Sequence, residues 1–180
     1  MIYLVYGGSG SGKSEFAEAL AVDLAGADGR KIYLATMQAD GDEAQNRIER
    51  HKKLRAGKGF ETIEQSRNIE EAIEGEENTV ILLECMSNLL ANEMFCPEAK
   101  AAPGEKSAFP VAEKILWGIK RLSSACKSLI IVSNNIFDDG IDYDLMKKKY
   151  MTELSFINCQ LAKQADKLYE VVCGIPLEVK

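Results

Sequence analysis

A glycine-rich octapeptide directly after a short apolar run constrains the fold of this chain more than any other feature. The run Ile2–Tyr6 is followed by an octapeptide that fits the pattern G-x-x-x-x-G-K-[ST], namely Gly7, Gly8, Ser9, Gly10, Ser11, Gly12, Lys13 and Ser14. In such a loop the backbone N–H groups turn inward around a phosphate, and the next helix presents the positive end of its dipole. The pattern predicts a nucleotide site in which Lys13 reaches the β- and γ-phosphates and the Ser14 hydroxyl ligates Mg²⁺.

Short apolar runs alternate with helical patterns along the rest of the chain. We predict strands at Ile2–Tyr6, Lys31–Ala35, Phe60–Ile63, Thr79–Glu84, Ser128–Ser133 and Lys167–Val172. We predict helices at Lys13–Ala25, Asp42–Leu54, Asn68–Glu74, Asn88–Glu93, Val111–Ala125 and Asp144–Gln164. This alternation indicates an α/β fold of the P-loop NTPase kind, with a mainly parallel central sheet flanked by helices. Since no linker or repeat is visible, we expect one nucleotide-binding catalytic domain over residues 1–180.

Composition excludes some classes of binding partner and indicates the cellular compartment. A net charge of −6 argues against a protein that coats nucleic acid, because that function needs a basic face. The 5 cysteines are odd in number and widely spaced, which disfavours a disulfide framework or a zinc site and favours a reducing compartment. No secretory leader and no apolar run long enough to span a membrane is visible, so we expect a cytoplasmic protein.

Two further residues are candidates for chemistry at a bound triphosphate. Glu84 ends an apolar strand, as the second Mg²⁺-associated acid of phosphate-loop proteins does, and we expect it to ligate the metal directly or through water. His51, the only histidine, shares a helical stripe with Arg47 and Arg55. Neighbouring cations keep an imidazole neutral and nucleophilic and attract a polyphosphate. A solvated helix that carries a surface histidine explains the same pattern.

Further segments extend the pattern over nearly the whole chain. Tyr-x-Ala-Thr stands at 33–36, Arg-Ile-x-x-His at 47–51, Leu-Leu-Glu-Cys at 82–85 and Cys-Gly-Ile-Pro at 173–176. In this order and with the phosphate loop, the segments resemble the adenosylcobinamide kinase / adenosylcobinamide-phosphate guanylyltransferase family. The loop alone is generic, whereas its combination with Arg-Ile-x-x-His and Gly-Ile-Pro is specific.

The resemblance implies a bifunctional enzyme of cobalamin biosynthesis. Such an enzyme phosphorylates the aminopropanol hydroxyl of adenosylcobinamide with GTP or ATP. It then transfers GMP from GTP to that phosphate through a covalent GMP–histidine, which by position is His51, with Lys13 and Mg²⁺ stabilising the developing charge. The resemblance also implies a ring-like homo-oligomer, often a trimer. It implies that the GTP site is lined by Ala35, Thr36, Met37, Lys52, Lys53, Leu54, Arg55, Glu64 and Glu84.

Several positions depart from the family pattern. Gly10 replaces an arginine of the loop, Phe60 replaces a tryptophan, and Asn135 and Phe137 replace an acid and a glycine after the fifth strand. We therefore expect the triphosphate-binding parts to match the family pattern more closely than the loops that hold the corrinoid or assist the kinase step. A member with one half-reaction, another small-metabolite kinase and a non-enzymatic GTP-binding module remain alternatives.

Overall fold

A computed structural model of the chain describes residues 1–38, 45, 49, 52–53, 55–72, 76–96, 110–137, 141 and 143–180. Its centre is one sheet with the strand order β3-β2-β4-β5-β1-β6-β7. The strands are β1 (Ile2–Gly7), β2 (Arg30–Ala35), β3 (Phe60–Glu64), β4 (Glu76–Glu84), β5 (Cys126–Asn134), β6 (Lys167–Val172) and β7 (Ile175–Glu178). All neighbours pair in parallel except β7, which runs antiparallel to β6.

Helices cover both faces of this sheet, which explains why the central strands are apolar throughout. On one face, Ala17 and Ala21 of the first helix pack near Leu82 and other strand residues. The remaining helices cover the other face, where Ile81 and Leu83 are fully buried. The helices whose bounds lie within the described ranges are α1 (Lys13–Ala25), α2 (Met86–Phe95), α3 (Val111–Ala125) and α4 (Leu145–Gln164), with a 3₁₀ turn at Ile69–Glu71.

Strand register brings the carboxyl ends of five strands to one edge. Ala35 of β2 pairs with Glu64 of β3 and with Glu84 of β4, so these residues form one row across the sheet. Gly7, which ends β1, pairs with Asn134 at the end of β5. Ligands of parallel sheets bind at this edge, where loops and helix N-termini converge.

The predicted α/β fold is confirmed, and so are all six predicted strands. Asp144, predicted to begin the last helix, is its N-cap, and its carboxylate accepts from the backbone N–H of Lys147. The strand β7 was not predicted, because its four residues are all exposed and include Pro176. An edge strand tolerates both features, since its outer side forms no ladder.

Two of the predicted helices differ from the structure or lie partly outside the described residues. The helix predicted at Asn68–Glu74 is only a 3₁₀ turn over the described residues, and Asn68 itself has a left-handed φ of 50°. Its backbone N–H donates to Glu93 and its side-chain oxygen accepts from Lys114, so contacts with other elements override the local helical pattern. Of the helix predicted at Asp42–Leu54 the structure describes residues 45, 49, 52 and 53, all of them helical.

Leu82 provides a test of the packing between α1 and the sheet. The Leu82→Ala substitution removes a fully buried side chain, and we expect it to lower the free energy of unfolding by about 2–5 kcal/mol. Leu145→Ala, at a residue that is 86% exposed, is the matched control and is expected to change it by less than about 0.5 kcal/mol. Urea unfolding followed by circular dichroism measures both. Equal effects of the two substitutions would contradict this packing.

Candidate nucleotide-binding site

The glycine loop between β1 and α1 has the backbone geometry that its sequence predicts. Gly10 and Gly12 have left-handed φ values of 71° and 93°, which a residue with a Cβ adopts only with strain. Lys13 is buried, and its Nζ donates to the carbonyl of Gly8 at 2.7 Å, across the loop. Burial lowers the pKa of the Lys13 ammonium, while the neighbouring Cys85 and Glu84 oppose this shift. A triphosphate bound here would give this buried cation an anionic partner.

The turn between β6 and β7 supports the loop from the side. Cys173 and Gly174 form this two-residue turn with φ values of 50° and 82°. The Gly174 N–H donates to the carbonyl of Ser11 at 2.8 Å. A Cβ on Gly12 would lie 3.0 Å from the Gly174 Cα. The Gly-Ile-Pro segment, noted in the sequence only as part of a resemblance, thus packs against the phosphate loop.

This close approach makes Gly12 sensitive to substitution. We expect Gly12→Ala to weaken GTP binding by about tenfold or more, because its Cβ strains the backbone and displaces the adjoining turn. Gly26→Ala is the matched control, since Gly26 also has a positive φ, of 67°, but ends α1 with no atom within 4 Å of its Cβ position. Calorimetric titration with GTP measures both affinities. An affinity of Gly12→Ala equal to that of the control would contradict the role of the contact.

Glu84 lies at the centre of a chain of side chains beside the loop. It is 8% exposed, and its Oε1 accepts a hydrogen bond from the Ser14 hydroxyl. Its Oε2 accepts from the Tyr33 hydroxyl at 3.1 Å. Burial, and then the adjacent Glu84 carboxylate, raise the pKa of Tyr33, which keeps the phenol protonated as a donor. The structure therefore brings Ser14 and Glu84 together, as expected of two ligands of one metal.

Arg55 stacks on the Tyr33 ring and so joins the network of side-chain contacts that includes Glu84. Its guanidinium carbon lies 3.4 Å from the centroid of the Tyr33 ring, in cation–π geometry, and the residue is buried. Lys58, three residues later, donates to the fully buried carboxylate of Glu18 on α1 at 2.6 Å. Tyr33 was noted in the sequence only as part of the resemblance, and neither it nor the Lys58–Glu18 pair was predicted as part of the site. A buried strand tyrosine needs a partner for its hydroxyl, and this was the available signal.

Four of the other predicted site residues, Ala35, Thr36, Met37 and Glu64, lie at or directly after the ends of β2 and β3. Thr36 is fully buried, and its hydroxyl donates to the carbonyl of Cys85 at 2.9 Å, while its own carbonyl accepts from Asn92. Ala35 and Met37 are half-buried, whereas Glu64, Lys52 and Lys53 are exposed. His51 and Leu54 lie outside the described residues.

A family model matches almost the whole chain. The model is described as cobinamide kinase / cobinamide phosphate guanyltransferase, and it matches residues 3–179. The chain belongs to this family. The resemblance inferred from the motifs is thereby confirmed, and with it an enzyme of adenosylcobalamin biosynthesis with kinase and guanylyltransferase roles. In the ranges that the structure describes, no helix is both long and apolar enough to cross a membrane.

Individual relatives support the same assignment. The chain is 30% identical to the bifunctional adenosylcobalamin biosynthesis protein CobU of Escherichia coli (strain K12), and the match covers 100% of both chains. It is 26% identical to the protein CobP of Pseudomonas aeruginosa, covering 98% of this chain and 96% of the relative. Among solved structures, the flagellar accessory protein FlaH of Methanocaldococcus jannaschii has a TM-score of 0.53 at 14% identity, covering 99% of this chain and 77% of that chain. That likeness concerns the fold alone.

Proposed function

We propose that this enzyme phosphorylates a cobinamide and then transfers GMP from GTP to the resulting phosphate through a covalent GMP–His51 intermediate. The observation that carries the proposal is the convergence of Lys13, Ser14 and Glu84 beside the glycine loop, in a chain that matches the family from residue 3 to 179. The triphosphate binds in the loop, and the lining residues are those of the neighbouring strand ends. Glu64, Met37 and the segment 52–55 complete this lining.

Ser14 and Glu84 fit a Mg²⁺ site. Both offer oxygen ligands and are hydrogen-bonded to each other, with Ser14 at the start of the helix that follows the loop and Glu84 at the end of β4. Mg²⁺ is commonly held by one or two protein oxygens together with substrate phosphates and water. When bound, Mg²⁺ neutralises charge on the phosphate oxygens.

In guanylyl transfer the neutral imidazole of His51 attacks the α-phosphorus of GTP. A nitrogen–phosphorus bond forms while the bond between the α-phosphorus and the bridging oxygen breaks, and pyrophosphate leaves with that bonding pair. The Lys13 ammonium stabilises the negative charge that develops on the leaving group. A phosphate oxygen of cobinamide phosphate then attacks the same phosphorus, which restores the imidazole and yields cobinamide-GDP.

In the kinase step the cobinamide hydroxyl attacks the γ-phosphorus of a bound triphosphate. The bond to the β-phosphate oxygen breaks, the nucleoside diphosphate leaves and the hydroxyl proton passes to solvent. Lys13 acts on the same β- and γ-oxygens in this step, so one loop serves both half-reactions. The His51 imidazole has no part in it.

One incubation tests the proposed function. The protein is mixed with adenosylcobinamide, GTP and Mg²⁺, and the corrinoid products are separated and identified by mass. We expect both the phosphorylated and the GDP-linked corrinoid, with pyrophosphate released in multiple turnovers. Phosphorylated product without the GDP-linked one would restrict the enzyme to the kinase half-reaction. GTP binding without either product would favour a regulatory module.

We further propose that the catalytic unit is a single domain that acts as a homo-oligomer, a trimer in the family pattern, in the cytoplasm. The support is the family resemblance, a match that spans the chain, and widely spaced cysteines typical of a reducing compartment. Sedimentation equilibrium of the purified protein tests the oligomeric state. A monomer at micromolar concentration would contradict it.

A further inference from the structure

We propose that Tyr33 is a positioning residue of this site, which orients the Glu84 carboxylate through its hydroxyl and seats the Arg55 guanidinium on its ring. The inference rests on the proposed function, because it assigns to Tyr33 the task of holding groups that act on GTP and its metal. Tyr33 touches neither substrate nor metal in this account. It acts through the two side chains that it contacts.

The contact with Glu84 fixes the rotation of the carboxylate. Tyr33 of β2 pairs with Leu82 of β4, and Ala35 with Glu84, so Tyr33 lies two residues before the edge on the face that carries Glu84. Its hydroxyl reaches Oε2 at 3.1 Å, while the Ser14 hydroxyl occupies Oε1. Because each oxygen accepts a hydrogen bond from a buried or half-buried side chain, the rotation of the carboxylate is restricted. A ligand carboxylate oriented in this way binds its metal more tightly than a free one.

The contact with Arg55 fixes the segment that follows His51 in the sequence. Stacking at 3.4 Å places the guanidinium on the Tyr33 ring, and its Nη1 is buried without a hydrogen-bond partner in the described part of the chain. A buried cation without an anionic partner is costly unless an aromatic face or a ligand compensates for it. The Tyr33 ring provides the aromatic face, and a triphosphate or base bound at the site would provide the ligand.

A second anchor confirms that this segment is held against α1. Lys58 donates to the Glu18 carboxylate, which is fully buried. Together with the stacking of Arg55, it attaches residues 55–58 to both β2 and α1. Because Arg55 comes four residues after His51, Tyr33 connects the carboxylate at the metal site with the end of the segment that carries the proposed nucleophile.

Tyr33→Phe tests the first contact, because it removes the hydroxyl and keeps the ring under Arg55. The matched control is Tyr3→Phe, since Tyr3 is also 5% exposed, belongs to the same core cluster as Tyr33, and its hydroxyl donates to the Met1 sulfur and not to a residue of the site. The probe is a non-hydrolysable α,β-methylene GTP that carries a fluorophore, titrated with Mg²⁺. We expect Tyr33→Phe to raise the half-saturating Mg²⁺ concentration about tenfold. Tyr3→Phe is expected to leave it unchanged.

Tyr33→Leu and Arg55→Lys test the second contact in a double-mutant cycle. Each variant is expected to slow formation of the GMP–enzyme about tenfold at saturating Mg²⁺, and the double variant is expected to be no slower than either, because both remove one stacking contact. Tyr33→Phe, which keeps the ring, is expected to retain the wild-type rate at saturating Mg²⁺. If Tyr33→Leu does not fold, Arg55→Lys compared with Tyr33→Phe decides the same point.

The outcomes separate this inference from the proposed function. Equal Mg²⁺ titrations of wild type and Tyr33→Phe would overturn the orienting role of the hydroxyl. Additive effects of Tyr33→Leu and Arg55→Lys would overturn the stacking role. If wild type forms no GMP–enzyme, the proposed function fails, whereas the Mg²⁺ titration still decides whether Tyr33 orients Glu84.

Discussion

His51→Ala is expected to abolish formation of the GDP-linked corrinoid while phosphorylated corrinoid still accumulates. The reason is that the proposed guanylyl transfer runs through a histidine that bonds to the α-phosphorus, and the chain contains no other histidine. Removal of a covalent nucleophile lowers kcat by about 10⁴-fold or more. The kinase step moves the γ-phosphate directly to a hydroxyl, so we expect its rate to stay within about tenfold of wild type. Mass analysis of both corrinoid products over time measures the two rates in one reaction.

The kinase rate serves as an internal control for folding and GTP binding in the His51→Ala protein. A variant that loses both products would point to damage of the nucleotide site rather than to a missing nucleophile. Formation of the GDP-linked corrinoid at the wild-type rate would exclude His51 as the nucleophile.

Lys13→Ala is expected to slow both half-reactions, in contrast to His51→Ala. Its ammonium is buried beside the loop, 2.7 Å from the Gly8 carbonyl, where we propose that it acts on the β- and γ-phosphates in either step. Loss of one such preorganised group lowers kcat by about 10²–10³-fold. Rates of pyrophosphate release and of corrinoid phosphorylation measure the two effects.

Lys120→Ala is the matched control for Lys13→Ala. Lys120 is an exposed lysine on α3, and in the described ranges its side chain forms no hydrogen bond or ion pair with the loop. The Lys120→Ala substitution removes one positive charge and leaves the loop intact, so we expect both rates to remain at their wild-type values. A Lys13→Ala protein that keeps either rate within a factor of two of this control would contradict a shared role of the loop lysine.

The fold could be predicted because its determinants are local in sequence. Runs such as 80–83 and 129–132 are apolar on both faces, and the loop 7–14 fixes where the first helix begins. The strand β7 could not be predicted, because its identity depends on pairing with β6 and not on its own pattern. The 3₁₀ turn at 69–71 was overpredicted for a related reason: Asn68 bonds to Glu93 and Lys114, which are distant in sequence.

The residues of the candidate site differ in the same way: some are predictable from local sequence, and others meet only through contacts distant in sequence. Lys13 and Ser14 belong to a contiguous motif, and Glu84 ends an apolar strand, so the sequence alone predicts that these residues lie close together, as they do in the structure. Tyr33 and Arg55 meet through strand pairing and a stacking contact that no spacing in the chain reveals. The hydrogen bond between Gly174 and Ser11 of the loop likewise joins two residues that are 163 positions apart in the sequence.

The most direct test of the central claim is to find the guanylyl group on the protein. Wild-type protein is incubated with Mg²⁺ and GTP labelled at either the α- or the γ-phosphate, denatured, digested and examined by tandem mass spectrometry. We predict that the α-label is retained, is acid-labile and maps to His51, whereas the γ-label is lost with pyrophosphate. A protein that turns over GTP and corrinoid but carries no α-label, or carries it on another residue, would contradict the account.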